Sequence, residues 1–373
     1  MVDAVVAGHL CLDLIPEIGN LPLTALAQAG RLFEVGGMHI STGGGAANTG
    51  LALHKLGIDT ALMATVGDDM TGQMIASVLN SHDQELSRSL AIRSGAASSY
   101  TVVLSPQDED RVFIHYPGTN RDFCSDDVDY AVVKKAKIFH MGYPPILPRL
   151  IANDGADLEA MYRKAKATGT VTSMDTSLPD PSGASGHADW RAILSRVLPL
   201  VDIFVPSIEE IVYMLRRDDY ARWQGRVPER TDADYLDSLA VEIAAMGCPA
   251  IVGFKLGDMG LYLHSANADR LSTLGALNIS DPVNADKRIW QPAFDVPVVG
   301  TTGAGDAAYA GLLASLIRGA TIEEAARWAC AVGACCVEAA DAASGIRAWD
   351  EISARLQRNE WRTKSVMLKG WKV

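Results

Sequence analysis

Short apolar runs at 137–141, 171–174, 202–205 and 250–254 alternate with helical stretches around 155–168, 188–199, 207–216 and 233–246. A strand, a helix and a second strand at this spacing make a crossover unit, so the strands run parallel and helices cover both faces of their sheet. The 373 residues are 48% hydrophobic and 21% charged, enough apolar material to bury a substantial core. An α/β fold with a mainly parallel central sheet is therefore expected. From Ala304 onward the chain reads as mostly helical.

The first third is less regular. The run from Val2 to Leu10 reads as a buried strand, and Ala61 to Val66 as another, followed by a helix after Asp68-Asp69. Between them, Pro16, Gly19, Asn20, Pro22, Gly30, Gly36 and Gly37 break any long period over 15–42. Ala46 to Leu56 is helical, with Gly57 as its stop. Tyr100–Leu104 and Arg111–Tyr116 flank the polar stretch 105–110 and read as a hairpin. The 15–42 excursion and this hairpin are expected to form one small β-element. The loop 179–187 and the charged stretch 217–232 read as surface insertions.

Lys and Arg number 33 against 45 Asp and Glu, a net charge of −12. Such a surface repels nucleic acid and anionic lipid, and no basic block offsets it. Neither partner is expected. Cys11, Cys124, Cys248, Cys330, Cys335 and Cys336 contain no C-x-x-C pair and read as buried small residues of a reduced compartment. No basic leader precedes the first apolar run, and no charge-free apolar run reaches the ~18 residues of a membrane helix. A soluble, cytoplasmic protein is the expectation. His9 and His140 read as satisfied core histidines, and Tyr143 and Trp290 as core or lid residues.

Two glycine-rich segments carry the chemistry. Thr42-Gly43-Gly44-Gly45-Ala46-Ala47-Asn48 opens the first helix; glycines there let a ligand approach the backbone, and the Asn48 amide can meet hydroxyls. A structural tight turn is the alternative. Thr301-Thr302-Gly303-Ala304-Gly305-Asp306 opens a later helix after an expected strand near Val296–Val299. Free N–H groups at a helix start, reinforced by the macrodipole, make an anion hole. Asp306 can be a helix cap, or a general base that takes a proton from a hydroxyl attacking a phosphoryl group. There is no G-x-x-x-x-G-K-[ST] loop. Gly303-x-Gly305-x-x-Ala308 matches a dinucleotide fingerprint, yet 321–338 reads as helix where that fingerprint needs a strand ending in an acid.

With both segments in this order, the chain resembles the PfkB, or ribokinase-like, carbohydrate kinase family over nearly its full length. Gly8-x-x-x-x-Asp13, Gly118-Thr119-Asn120 and Leu256-Gly257-Asp258-Met259-Gly260 add to the likeness. The resemblance implies a ribokinase-like three-layer α/β/α sandwich with a core of 1–14, 43–95 and 118–373 and a β-lid of 15–42 and 96–117. It implies ATP as phosphoryl donor and Mg2+ as its counter-ion. Asp306 would be the base, with Gly303, Ala304 and Gly305 as the anion hole. Asp13, Gly43, Gly44, Gly45 and Asn48 would hold the acceptor. Ser207, Lys255, Gly257, Gly260, Thr302 and Cys330 would face the nucleotide, and Glu210 would act on the metal through water. Lid-to-lid pairing implies a homodimer.

The chain also departs from the family pattern. Ser207 stands where an asparagine precedes the glutamate, here Glu210. Gly300 stands where an aspartate of a monovalent-cation site is common, which leaves such an ion open. Cys11 stands where ribose-specific members have asparagine, and Gly45 where a lysine is frequent, so ribose is not the expected acceptor. A sugar or sugar derivative is favoured over a nucleoside, because a base needs an apolar or aromatic clamp and only 6% of the residues are aromatic. A catalytically silent sensor on the same scaffold is the non-enzymatic alternative.

Overall fold

The computed structural model describes residues 2–106, 111–247 and 249–371. Its main sheet holds eight strands, β1 (Ala4–Gly8), β4 (Thr60–Met63), β9 (Ile138–Gly142), β10 (Val171–Met174), β11 (Ile203–Phe204), β12 (Ile251–Lys255), β13 (Leu261–Ser265) and β14 (Arg288–Gln291). Their spatial order is β14-β13-β12-β11-β10-β9-β1-β4. Pairings from β12 through β4 are parallel, and β13 and β14 extend the sheet antiparallel. In β1, Ala4 and Val6 enter one apolar layer while Val5 and Ala7 enter the layer on the other face. That is why its sequence is apolar throughout rather than alternating. The three-layer ribokinase-like α/β architecture holds.

A second sheet lies beside the first, with β2 (Cys11–Pro16), β3 (Met38–Gly43), β7 (Tyr100–Leu104) and β8 (Val112–Tyr116) in the order β3-β2-β7-β8. The hairpin forms as expected, with Tyr100 opposite Tyr116; residues 107–110 of its turn lie outside the described residues. The small sheet begins at Cys11, and the middle of 15–42 is irregular apart from a short helix at Leu23–Leu26.

Other readings need correction. Ala61–Val66 is not one strand, because β4 ends at Met63 and β5 (Thr65–Gly67) pairs instead with β6 (Ala91–Arg93). The Val296–Val299 run forms no strand. Pro297 cannot donate to a ladder, and the segment is pinned to a helix end instead, Val299 N donating to Val337 O at 2.8 Å. The antiparallel strands β13 and β14 carried no clear signal. The helix expected at 155–168 spans Pro148–Ala167 with a break at Ala152–Gly155, where Asn153, Asp154 and Gly155 are left-handed. Helices at Gly45–Lys55, Ile208–Leu215, Ala304–Ile317 and Ile322–Val337 sit where the pattern put them. The last of these removes the strand a dinucleotide fingerprint needs. Among the described residues no helix is long and apolar enough to cross a membrane. Cys11, Cys124, Cys330, Cys335 and Cys336 are free and buried; Cys248 lies outside the described residues.

A buried charge ties the parallel strands together. Asp202, fully buried just before β11, accepts from Lys166 Nζ at 2.8 Å, Arg270 Nη2 at 2.7 Å and the Thr172 amide at 2.9 Å. Replacing Asp202 by alanine strands two cations at once. We expect Asp202→Ala to lower the unfolding free energy by about 3–5 kcal/mol, read as a lower urea midpoint with an unchanged slope.

Candidate functional site

The carboxyl ends of the parallel strands converge on one crevice, where open α/β sheets place their ligands. Gly8 ends β1, Tyr143 follows β9, Asp175 follows β10, Ser207 lies beyond β11 and Lys255 ends β12. Helices Gly45–Lys55 and Ala304–Ile317 aim their first turns at the same place, which brings the two glycine-rich segments together.

Asp306, 1% exposed, is where they meet. Its Oδ2 accepts from Asn48 Nδ2 at 3.0 Å and from the Tyr143 hydroxyl at 2.6 Å, and its Oδ1 from Thr49 Oγ1 at 3.4 Å. Burial pushes the carboxyl up from its ordinary range, while Lys255 and these three donors pull it back. Because the Asn48 amide nitrogen is spent on Asp306, Asn48 presents its Oδ1, which is buried without a partner among the described residues. Tyr143 was undervalued in the sequence. It sits at φ 64°, a strained left-handed position for a bulky residue, and its neighbour Gly142 lets the Gly45 backbone come close, since a Cβ there would stand 2.9 Å from it. Trp290 instead donates to the Met259 carbonyl and packs on Trp371, a structural role.

Asp13 lies in β2, opposite Ser41 on β3. A Cβ on Gly43 would stand 2.2 Å from Asp13 Oδ2, so only glycine leaves room for that carboxylate. Burial pushes Asp13 up to about 6, against hydrogen bonds from Cys11 and Thr101. His9 and His140 are less satisfied than expected. His9 Nδ1 and His140 Nε2 are buried with no partner among the described residues, and burial, with the His115 ring, drives His9 down to about 3.

The second glycine segment borders a cavity of about 330 Å³. Ser207, Lys255, Gly257, Gly260 and Cys330 line it, as do Ala304 and Gly305. Thr302 does not; Thr301 takes that place, and the Thr302 carbonyl accepts from Cys336. Val296, Val298, Ala308 and Val337 give the cavity apolar walls. Gly303 holds φ 71°, and a Cβ there would meet Ala342 Cβ at 2.3 Å. Of the first-turn amides, Ala304 N leans weakly on Thr301 O at 3.3 Å and Ala307 N caps Gly303 O at 2.8 Å. Those of Gly305 and Asp306 lie in the turn whose N–H groups have no helical acceptor.

Lys255 Nζ, deep in the crevice, pairs with both oxygens of Asp175 at 2.6 and 2.5 Å. Burial opposes its charge, but Asp175, Glu210 and Asp306 outweigh burial and raise the lysine. Burial and the other two carboxylates push Asp175 up to about 7 against that lysine. Three carboxyls around one ammonium leave the crevice short of positive charge. Glu210 Oε2 accepts from Thr176 Oγ1 at 2.7 Å and the Ser207 amide at 3.0 Å. It is held by a helix cap, and Glu209 rather than Glu210 reaches the cavity wall. Gly300 adds no carboxylate; its amide goes to Val337 O at 3.3 Å. Asp175 went unread in the sequence, although an acid directly after a parallel strand is the available signal. The hairpin also reaches over: Arg111 Nη2 donates to Thr301 Oγ1 at 2.9 Å.

Comparison with known proteins gives a consistent picture. The profile of the pfkB family carbohydrate kinases matches residues 1–349. An uncharacterized sugar kinase of Archaeoglobus fulgidus is 25% identical over 79% of this chain and 98% of its own length. Fructokinase-2 of Zea mays is 26% identical over 88% of this chain and 86% of its own. Among solved structures, the Arabidopsis thaliana ribokinase complexed with ribose and ATP superposes with a TM-score of 0.72 at 21% identity, covering 96% of this chain and 99% of that one.

The raised Asp13 fixes a pH dependence. A carboxyl whose folded pKa lies above its unfolded one costs nothing below the unfolded value and costs most above the folded value. Between about pH 4 and 6 the protein therefore loses up to about 3 kcal/mol at this residue as pH rises. Asp13→Asn is expected to raise the melting temperature at about pH 7.5 and to lose that advantage near pH 4, measured by thermal unfolding of both proteins across that range.

Proposed function

Because the chain belongs to the pfkB family of carbohydrate kinases, a family of phosphotransferases, we propose that it moves the γ-phosphoryl group of ATP to a hydroxymethyl group of a sugar or sugar derivative, with Asp306 as general base. The observation that carries this reading is the meeting of Asn48, Tyr143 and Thr49 on the buried Asp306 carboxylate at the mouth of the Ala304–Ile317 helix. A capping aspartate has no use for three side-chain donors from two other elements. A base does, because they orient it and keep it ionised despite burial.

In this reading the adenine end of ATP lies along the apolar walls near Cys330, and its phosphates run toward Gly303, Ala304 and Gly305. The first-turn amide of Gly305, with no helical acceptor, and that of Ala304, held only weakly by Thr301 O at 3.3 Å, stabilise charge on the transferring group. Lys255 supplies the ammonium on the same path. Asp13, Gly43, Gly44, Gly45 and the free Oδ1 of Asn48 hold acceptor hydroxyls. Asp306 Oδ1, loosely bound to Thr49 at 3.4 Å, keeps lone-pair capacity for the hydroxyl proton. The donor set of Asp175, Glu210 and Asp306 is all oxygen and short of positive charge, which suits Mg2+. Mg2+, when bound, would neutralise phosphate charge, and Glu210 would hold it through water. Arg111 on Thr301 draws the hairpin over the site and helps to exclude water.

Asp306→Asn should lower kcat by a factor on the order of 10² to 10⁴ and leave ATP binding nearly intact. The assay uses a panel of hexoses, pentoses, sugar acids and nucleosides. Undiminished turnover in that variant would overturn the base assignment, and turnover of nucleosides alone would overturn the sugar.

The small sheet also supports a homodimer. β8 is an open edge, with Phe113 and Ile114 each 55% exposed, and Leu32 is 90% exposed nearby in sequence to β3. Pairing with a second copy covers both the edge and its apolar side chains. Light scattering at micromolar concentration should return twice the 39.8 kDa chain mass. Charged residues at Phe33 and Ile114 should return the single mass and raise the acceptor KM; a single mass for the unmodified protein would rule the pairing out.

A further inference from the structure

The acceptor end of the crevice holds a set of side chains for which phosphoryl transfer has no evident use. His9 directly follows β1, Cys11 opens β2, and His115 lies in β8. The ligand atoms of all three lie within 4.8 Å of one another. His9 Nε2 and His115 Nε2 face each other at 3.4 Å, with the rings tilted by 50°. That is long for a hydrogen bond between two nitrogens. His9 is 3% exposed, and this contact is the only one its ring nitrogens make among the described residues. His115 Nδ1 lies 3.0 Å from Thr101 Oγ1. If that ring donates to the hydroxyl, its Nε2 lone pair is left directed at His9. Cys11 Sγ points to Asp13 Oδ1 at 3.2 Å.

We propose that His9 Nε2, His115 Nε2 and Cys11 Sγ form a binding site for a soft divalent cation, with zinc the best match, distinct from the Mg2+ that accompanies ATP. Geometry supports the choice. Zn–N bonds of about 2.0–2.1 Å at a tetrahedral angle set two nitrogens about 3.3–3.4 Å apart; the two imidazoles already stand at 3.4 Å. A Zn–S bond of about 2.3 Å asks for a sulfur about 3.6 Å from each nitrogen, and the three residues already bring one ligand atom each within 4.8 Å of the others. Two imidazoles and a thiolate select zinc-like ions, whereas Mg2+ takes oxygen. Thr101 behind His115 acts as the outer partner that orients a ligating ring.

On binding, the Cys11 thiol gives its proton to solvent and its sulfur bonds to the metal. The thiol then no longer donates to Asp13, and that carboxylate becomes available for the fourth position. The ion would also join β8 of the small sheet to the end of β1. One consequence rests on the kinase reading: an ion beside Asp13 competes with the acceptor, not with ATP.

The test uses the full-length, metal-free protein without nucleotide, so it does not depend on turnover. Titration with Zn2+ should give one ion per chain at micromolar or tighter affinity, undisturbed by millimolar Mg2+. Co2+ in its place should show the near-ultraviolet thiolate charge-transfer band and the intense visible bands of a tetrahedral site. His115→Ala changes an exposed residue and should weaken Zn2+ binding by about 10–100-fold. Cys11→Ser should abolish the thiolate band. Absence of stoichiometric binding, or binding unchanged in both variants, would overturn the site. With active enzyme, Zn2+ should raise the apparent KM for the sugar and leave that for ATP unchanged. Absence of sugar turnover altogether would sink the kinase reading and leave the titration result standing.

Discussion

The carboxylate of Asp306 is the point on which the rest of the site depends. It is buried, and a buried carboxylate is expensive unless hydrogen-bonded. Asn48 and Thr49 on one helix and Tyr143 beyond β9 supply those bonds. To do so, both helices must start at the same crevice and the chain must turn sharply at Tyr143, just past β9. One electrostatic requirement thus aligns two helix N-termini and a strand end that are far apart in sequence. The same alignment leaves helix-start amides facing the cavity where a phosphate would sit.

The Lys255 and Asp175 pair is the second fixed element. Their contact joins the ends of β12 and β10 across the short β11. An ion pair this deep adds little net stability when compared with apolar packing. Its value lies in holding an ammonium beside the Ala304–Ile317 helix without letting it collapse onto Asp306. Glu210 is restrained in a different way, by Thr176 and the Ser207 amide. Ser207 thus replaces the family's asparagine without loosening the glutamate. The end of the crevice at β2 and β3 is organised by a third kind of constraint, space: Asp13 fits there only because Gly43 has no side chain.

Several features were readable without coordinates. The apolar runs buried on both faces announced a parallel sheet, since a strand with two covered faces cannot alternate. The glycine-rich helix starts announced the candidate crevice, since glycines before an unpaired first turn leave amides and space that a ligand could use. Both are properties of contiguous residues, and so were most helix boundaries.

What the sequence could not yield depends on residues far apart along the chain. Val296–Val299 has strand-forming composition, yet Pro297 and the bond to Val337 make it a strap. Tyr143 and Asp175 enter the crevice only because β9 and β10 end beside Asp306 and Lys255. The Asn48 amide is expected to meet ligand hydroxyls; the fold commits its nitrogen to Asp306 and leaves only the oxygen for them. His9, Cys11 and His115 span more than a hundred residues and meet only because β7 pairs with β2 and carries β8 alongside it. Local pattern determined which elements form and where glycines precede a helix start with unpaired amides. Tertiary structure alone decided which side chains share a buried space, because desolvation and hydrogen bonding act between whichever groups the fold brings into contact, whatever their separation along the chain.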